Sequence, residues 1–202
     1  MKLTEVVQRF NIYYYNKIGK KHRTDGPAVI MADGSEDWYY NGWRHRDDGP
    51  ARIEADGTKV WYHRNKKHRE DGPARIDYDG TQEWFIKDQK HRTDGPAIIW
   101  SDGGEEWFYE GLRHRQGGPA LSWKDGTKAW YNHGERNRVG GPAYIKSNGT
   151  KEWWYNGQLH REDGPAIIWH DGNFIWYWRG RNFGVNDTPP QEWLDMGGHY
   201  EA

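Results

Sequence analysis

The chain has 202 residues, with 29 Lys and Arg against 30 Asp and Glu and a formal net charge of −1. So even a balance argues against a protein whose main work is neutralising nucleic-acid phosphates, and the absence of Cys excludes disulfides, thiol catalysis and thiolate metal sites. Leu, Ile, Val and Phe number only 28, but 14 Trp and 13 Tyr stand in for them, and side chains of that size can build an aromatic core.

From the N-terminus, the segment MKLTEVVQRFN lacks the apolar stretch of a secretory signal. No apolar run approaches the roughly 18 residues of a membrane span. A cytoplasmic chain with no membrane span is therefore expected, with residues 1–12 as an N-terminal cap.

Residues 13–184 carry an internal repeat. Gly-Pro-Ala begins at Gly26, Gly49, Gly72, Gly95, Gly118, Gly141 and Gly164, always 23 residues apart. Trp38, Trp61, Trp84, Trp107, Trp130, Trp153 and Trp176 keep the same step, as does an Asx-Gly pair that begins at Asp33 and recurs to Asp171. A constant period without insertions means that each unit stacks on the next in the same way. The repeats are numbered one to seven in chain order.

Each repeat contains Pro and at least two Gly, which leaves no room for a useful helix. Pro50–Glu54 and Thr58–Tyr62 read as strands flanking an Asp-Gly turn, a strong hairpin signal. A three-residue loop, Ala55-Asp56-Gly57, places Ala51, Ile53 and Trp61 on one face and is preferred; a two-residue loop would put Tyr62 there instead. A second turn, Asn41-Gly42, leads into the His-Arg stretch and back to Gly-Pro. After the repeats, Asp187–Leu194 reads as a short capped helix inside a C-terminal capping segment, residues 185–202. The expected fold is all-β: an elongated single-domain array of seven stacked antiparallel β-hairpins with a short C-terminal helical cap.

The segments Tyr40-Asn41-Gly42-Trp43-Arg44-His45-Arg46 and Asp56-Gly57-Thr58-Lys59-Val60-Trp61 resemble MORN repeats. The closer likeness is to a MORN-like variant with an H-R-x-D-G-P-A core, over residues 13–184. The resemblance implies stacked hairpins forming a ribbon, and a scaffold or binding surface for proteins or lipids. It also points to the bacterial and phage proteins in which that variant occurs.

Arg occupies its motif position in all seven repeats, from Arg23 to Arg161. Copying along the whole array points to a structural pairing, with the Asp two residues on or with a neighbouring repeat. Motif histidines one repeat apart stand too far apart to share a Zn ion at about 2.1 Å per ligand. No Ser-His-Asp order, phosphate-cradling Gly loop or H-E-x-x-H occurs, so an enzyme, a cofactor and a metal are not expected.

Departures from the repeat mark the candidate site. Repeats four and five present Trp100 and Trp123 where repeats two and three carry Glu54 and Asp77. Repeats five and six replace the motif Asp with Gly117 and Gly140, which leaves Arg115 and Arg138 without a local carboxylate beside Arg113 and Arg136. Phe108 and Tyr131 belong to a row of aromatics that directly follows the Trp row. Apolar anchors next to such Arg residues have the composition of a protein-interface hot spot or of an anion pocket. A protein partner is the leading expectation, extending to inhibition of a host factor if the chain is phage-encoded. A small anionic ligand such as a nucleotide, or a sugar, is the alternative, and an architectural spacer the third. Nucleic acid is not expected.

Overall fold

The computed structural model describes residues 3–8, 10–185 and 188–200. The chain divides into two compact bodies, residues 1–101 and 102–202, each of which is described by itself. Both are built from short antiparallel strands, and among the described residues one five-residue helix, Gln191–Asp195, follows the last of them.

In the first body a hairpin of Thr4–Gln8 and Asn11–Tyr15 lies along the first repeat, its second strand paired with Val29–Ile30. The ladder then runs through Glu36–Asp37, Arg52–Ile53, Lys59–Val60, Arg75–Ile76, Gln82–Glu83 and Ile98–Ile99, each strand antiparallel to the one before. In the second body the same ladder runs from Glu105–Glu106 through Leu121–Ser122, Lys128–Ala129, Tyr144–Ile145, Lys151–Glu152 and Ile167–Ile168 to Phe174–Ile175.

Within each body the ladder hairpins turn through the three-residue loop. Glu54 N–H donates to Thr58 O and Gly57 N–H to Glu54 O, both at 2.9 Å. Gly57 has φ 93°, which a side chain would resist. Asp56 Oδ1 accepts the Thr58 N–H at 2.8 Å, a local Asx bond that explains the Asp of Asp-Gly. The Thr58 hydroxyl in turn accepts Tyr78 N–H from the tip of the next repeat at 3.2 Å.

Each repeat holds two hairpins, where the sequence pattern suggested one. The Trp is the point of departure: Trp38 N–H makes a last ladder bond to Ala51 O at 2.8 Å, and the chain then folds into a side hairpin, Tyr39–Tyr40 against Trp43–Arg44. Its turn residues Asn41 and Gly42 have φ 48° and 87°, the I′ geometry that suits a two-residue hairpin loop. In repeats two and three the second turn residue is Asn65 or Asp88, at φ 67° and 71°. Their side chains accept the backbone N–H of Arg44 and Lys67 at 2.5 and 2.7 Å.

The buried layer differs from the expected aromatic core. The Ala of Gly-Pro-Ala is fully buried in every repeat, from Ala28 to Ala166. Trp38, Trp61, Trp84, Trp107, Trp130 and Trp153 are only half-buried, and Trp176 alone in that row is buried. A polar group, not an apolar neighbour, covers one face of the six, as described below. Trp176 packs with Trp178 and Trp193. Trp193 comes from the helix, its ring 4.8 Å from that of Trp176. The helix starts after Pro190 with no side-chain cap; the expected start at Asp187 lies outside the described residues.

Candidate functional site

The geometry of the motif Arg organises the surface. Arg46, Arg69 and Arg92 lay their guanidinium groups over Trp38, Trp61 and Trp84, 4.4, 4.3 and 4.1 Å from the ring centres. The Nε of each donates to the motif Asp, to Asp48 and Asp71 at 2.8 Å and to Asp94 at 2.9 Å. Nη1 of Arg92 also donates to Pro96 O at 3.3 Å. The Gly of Gly-Pro-Ala forms the outer layer: a Cβ on Gly95 would lie 2.7 Å from Arg92 Cζ. Its need for Gly is thus steric, and the side-chain exposures of 25, 24 and 23% for the three Arg match the expected structural pairing. Hydrogen bonds from these Arg hold Asp48, Asp71 and Asp94 below the usual carboxylate range.

Repeats five and six keep the stack and lose the acid. Arg115 and Arg138 lie 3.9 Å over Trp107 and Trp130 and donate to Pro119 O and Pro142 O at 3.2 and 3.0 Å. Gly117 and Gly140 replace the Asp and take φ 78° and 75°. Among the described residues no carboxylate pairs with either Arg.

Between these two stacks lies a hollow of about 410 Å³, lined by His114, Arg115, Gln116, Trp130, Tyr131, Asn132, Asn137, Arg138 and Val139. None of these is acidic. The equivalent hollow of repeats two and three, about 360 Å³, has Arg46, Trp61, Tyr62 and Arg69 in the corresponding places, but Asp47, Asp48, Glu70 and Asp71 also line it. The same architecture thus presents opposite charge in the two bodies. At the edge of the cationic hollow, His114 Nδ1 accepts the His133 N–H at 3.3 Å and the two rings lie 4.2 Å apart. Burial, with the His133 charge second, pushes the pKa of His114 down.

The residues singled out from the sequence do not all converge. Arg115, Arg138 and Tyr131 line the hollow. Arg113 and Arg136 are engaged elsewhere, in a layer between ladder and side hairpin. Arg113 pairs with Glu106 at 2.9 Å and lies over Phe108 at 5.5 Å. Arg136 pairs with Glu152 at 3.5 Å and lies over Trp154 at 5.2 Å. Trp123 is 46% exposed and Trp100 38%; neither lines the hollow, and Trp100 belongs to the first body.

Sequence reading missed that layer. Asp37 with Arg44, Glu83 with Lys90 and Glu106 with Arg113 pair at 2.9, 3.3 and 2.9 Å, each acid largely buried. Its signal was an acid directly before the Trp, present as Asp37, Glu83, Glu106 and Glu152.

No protein-family model matches the chain, and no curated protein matches it. No helix among the described residues is long and apolar enough to cross a membrane.

Proposed function

We propose that this is a non-enzymatic, cytoplasmic binding protein of MORN-like type that docks a carboxylate-bearing segment of a partner protein over the hollow of repeats five and six. The observation that carries this reading is the loss of Asp at Gly117 and Gly140 while Arg115 and Arg138 keep their stacks. The Arg46 and Arg69 Nε–H groups each meet a carboxylate of their own chain; the corresponding groups of Arg115 and Arg138 meet none among the described residues, which supports a carboxylate supplied by a partner. A guanidinium held over an indole is preorganised for a planar carboxylate. Gln116, Asn132 and Val139 on the rim are exposed, so the hollow is open. Small-molecule pockets instead enclose most of their ligand. Trp123, half-exposed in the same body, supplies the aromatic anchor common in such interfaces. Inhibition of a host factor is one use to which such a surface could be put.

The test restores the repeat. Gly117→Asp/Gly140→Asp gives Arg115 and Arg138 the internal carboxylate found in the other repeats and leaves their stacks in place. Binding of a fluorescent Glu-rich peptide, followed by anisotropy at low and moderate salt, should weaken at least tenfold in the double variant; the positive φ of both glycines costs the variant some stability, so the two proteins are compared well below the melting temperature of each. Equal binding by both proteins would overturn the proposal. The volume of about 410 Å³ supports a second reading, a small anion such as a nucleotide. A nucleotide that binds where the peptide does not would decide for it.

A further inference from the structure

Beside the acidic hollow of the first body, which Asp47 and His63 line, His45, Asp47 and His63 each offer one ligand atom. These atoms all lie within 4.8 Å of one another. His45 Nε2 stands 3.1 Å from Asp47 Oδ1, and the His45 and His63 rings are 4.7 Å apart and nearly perpendicular, at 84°. We propose that these three side chains bind one divalent first-row transition-metal ion, with Zn²⁺ as its probe.

His63 is not a motif histidine. It occupies the second position after the Trp, where other repeats carry Tyr40, Ile86, Tyr109, Asn132, Tyr155 or Trp178. In repeats one and seven the aromatic there packs on the motif histidine, Tyr40 on His22 at 4.9 Å and Trp178 on His160 at 4.6 Å. Replacing that aromatic by an imidazole brings two nitrogen ligands together at a distance that motif histidines in successive repeats were not expected to reach.

The hydrogen bonding of His45 also departs from the pattern. At His22, His114 and His160, Nδ1 accepts a backbone N–H, from Asn41, His133 and Arg179. That bond places the ring proton on Nε2 and withdraws that nitrogen from metal binding. His45 Nδ1 is buried with no such partner. No backbone N–H therefore fixes the proton of His45 on Nε2, and that nitrogen lies 3.1 Å from Asp47 Oδ1.

Two imidazoles and one carboxylate form a ligand set for Zn²⁺ that leaves one position for water. Mg²⁺ and Ca²⁺ prefer oxygen-only shells. Asp48, Glu70 and Asp71 line the same hollow and add negative potential. The inference concerns the first body and does not depend on how the cationic hollow of the second is used.

The experiment is calorimetric titration of the whole chain with ZnCl₂ in a non-chelating buffer. One equivalent should bind with micromolar or tighter affinity and raise the melting temperature. His63→Tyr, which restores the aromatic of other repeats, and Asp47→Asn, at a side chain 89% exposed, should each weaken binding at least tenfold. His133→Asn, at the other non-motif histidine near a motif one, should leave it unchanged. Wild-type binding no tighter than millimolar, or equal affinity in His63→Tyr and Asp47→Asn, would overturn the proposal. Asp47→Asn keeps the test valid even if His63→Tyr fails to fold.

Discussion

The guanidinium of Arg138 lies 3.9 Å from the centre of the Trp130 ring, and Gly141 closes over its other side, so that a Cβ there would meet Cζ at 3.2 Å. Ring, cation and backbone form three layers that recur along the array. They explain how a chain so poor in aliphatic residues holds its shape. A covered cation–ring contact contributes about 0.5–2 kcal/mol, and the array makes one per repeat junction.

Gly95→Ala tests the outer layer. The new Cβ would displace the Arg92 side chain, which can swing away at the cost of its stack and its bonds to Asp94 and Pro96. Urea unfolding should show a loss of about 1–2 kcal/mol. In an Arg92→Ala background the same change should cost much less; an undiminished cost would show that the layer is not the cause.

Arg92→Lys should destabilise by about 1–2 kcal/mol, because an ammonium is a point charge that cannot cover Trp84 while donating to both Asp94 and Pro96. A variant that melts like wild type but binds less would instead make the motif Arg a recognition residue.

Trp123→Ala and Trp84→Ala separate partner contact from folding. Trp123 is 46% exposed, whereas Trp84 is half-buried beneath Arg92. Trp84→Ala should lower the melting temperature markedly and Trp123→Ala only slightly. The latter should cost about 2 kcal/mol of partner binding, roughly thirty-fold in affinity. Equal melting losses would place Trp123 in the folding framework.

Acid should unfold the protein in a defined window. Asp25, Asp48, Asp71 and Asp94 are held below their ordinary range first by Arg hydrogen bonds, and Asp33, Asp56, Asp79, Asp125 and Asp171 first by backbone N–H groups. A carboxylate depressed in the folded state stabilises fully above its unfolded pKa, about 3.9 for Asp, and that stability disappears as pH falls through the folded value. Melting temperatures should be level from pH 7 to about 5, then fall steeply below about 4. A flat profile down to pH 2.5 would contradict this.

His114 should titrate below an ordinary histidine, with burial the main cause and His133 the lesser. Its Cε1 proton, followed by NMR, should show a low midpoint that rises by a smaller part in His133→Asn. An ordinary midpoint in wild type would count against the packing described at that edge.

The legible part of the fold was what every repeat must keep. Gly95, Trp84 and Asp79 announce their roles because counterparts recur at a fixed step, and the tip loop followed from grouping Ala51 with Ile53. Burial of the Trp row was misjudged because a cation covers it, which a count of apolar residues does not register. The acid–base layer stayed hidden because Val60, Ala129 and Ile175 interrupt the acid position. Arg113 and Arg136 accordingly looked available, although Glu106 and Glu152 already hold them. Arg115 and Arg138 were recognisable because a missing Asp in a strict motif is a local change, whereas His63 matters only through a neighbour 18 positions away.

The hydroxyls that directly follow the Asx-Gly pairs accept forward along the chain: Ser35 serves Ala55, Thr58 serves Tyr78, Thr81 serves Ser101 and Thr127 serves Ser147. Removing a repeat therefore has unequal effects on its two neighbours: the following tip is left with an unmet amide, while the preceding one merely returns its hydroxyl to water. Such an array has a grain. Pulled apart under force, or cut back repeat by repeat, it should come undone more readily when the loss advances in chain order than against it.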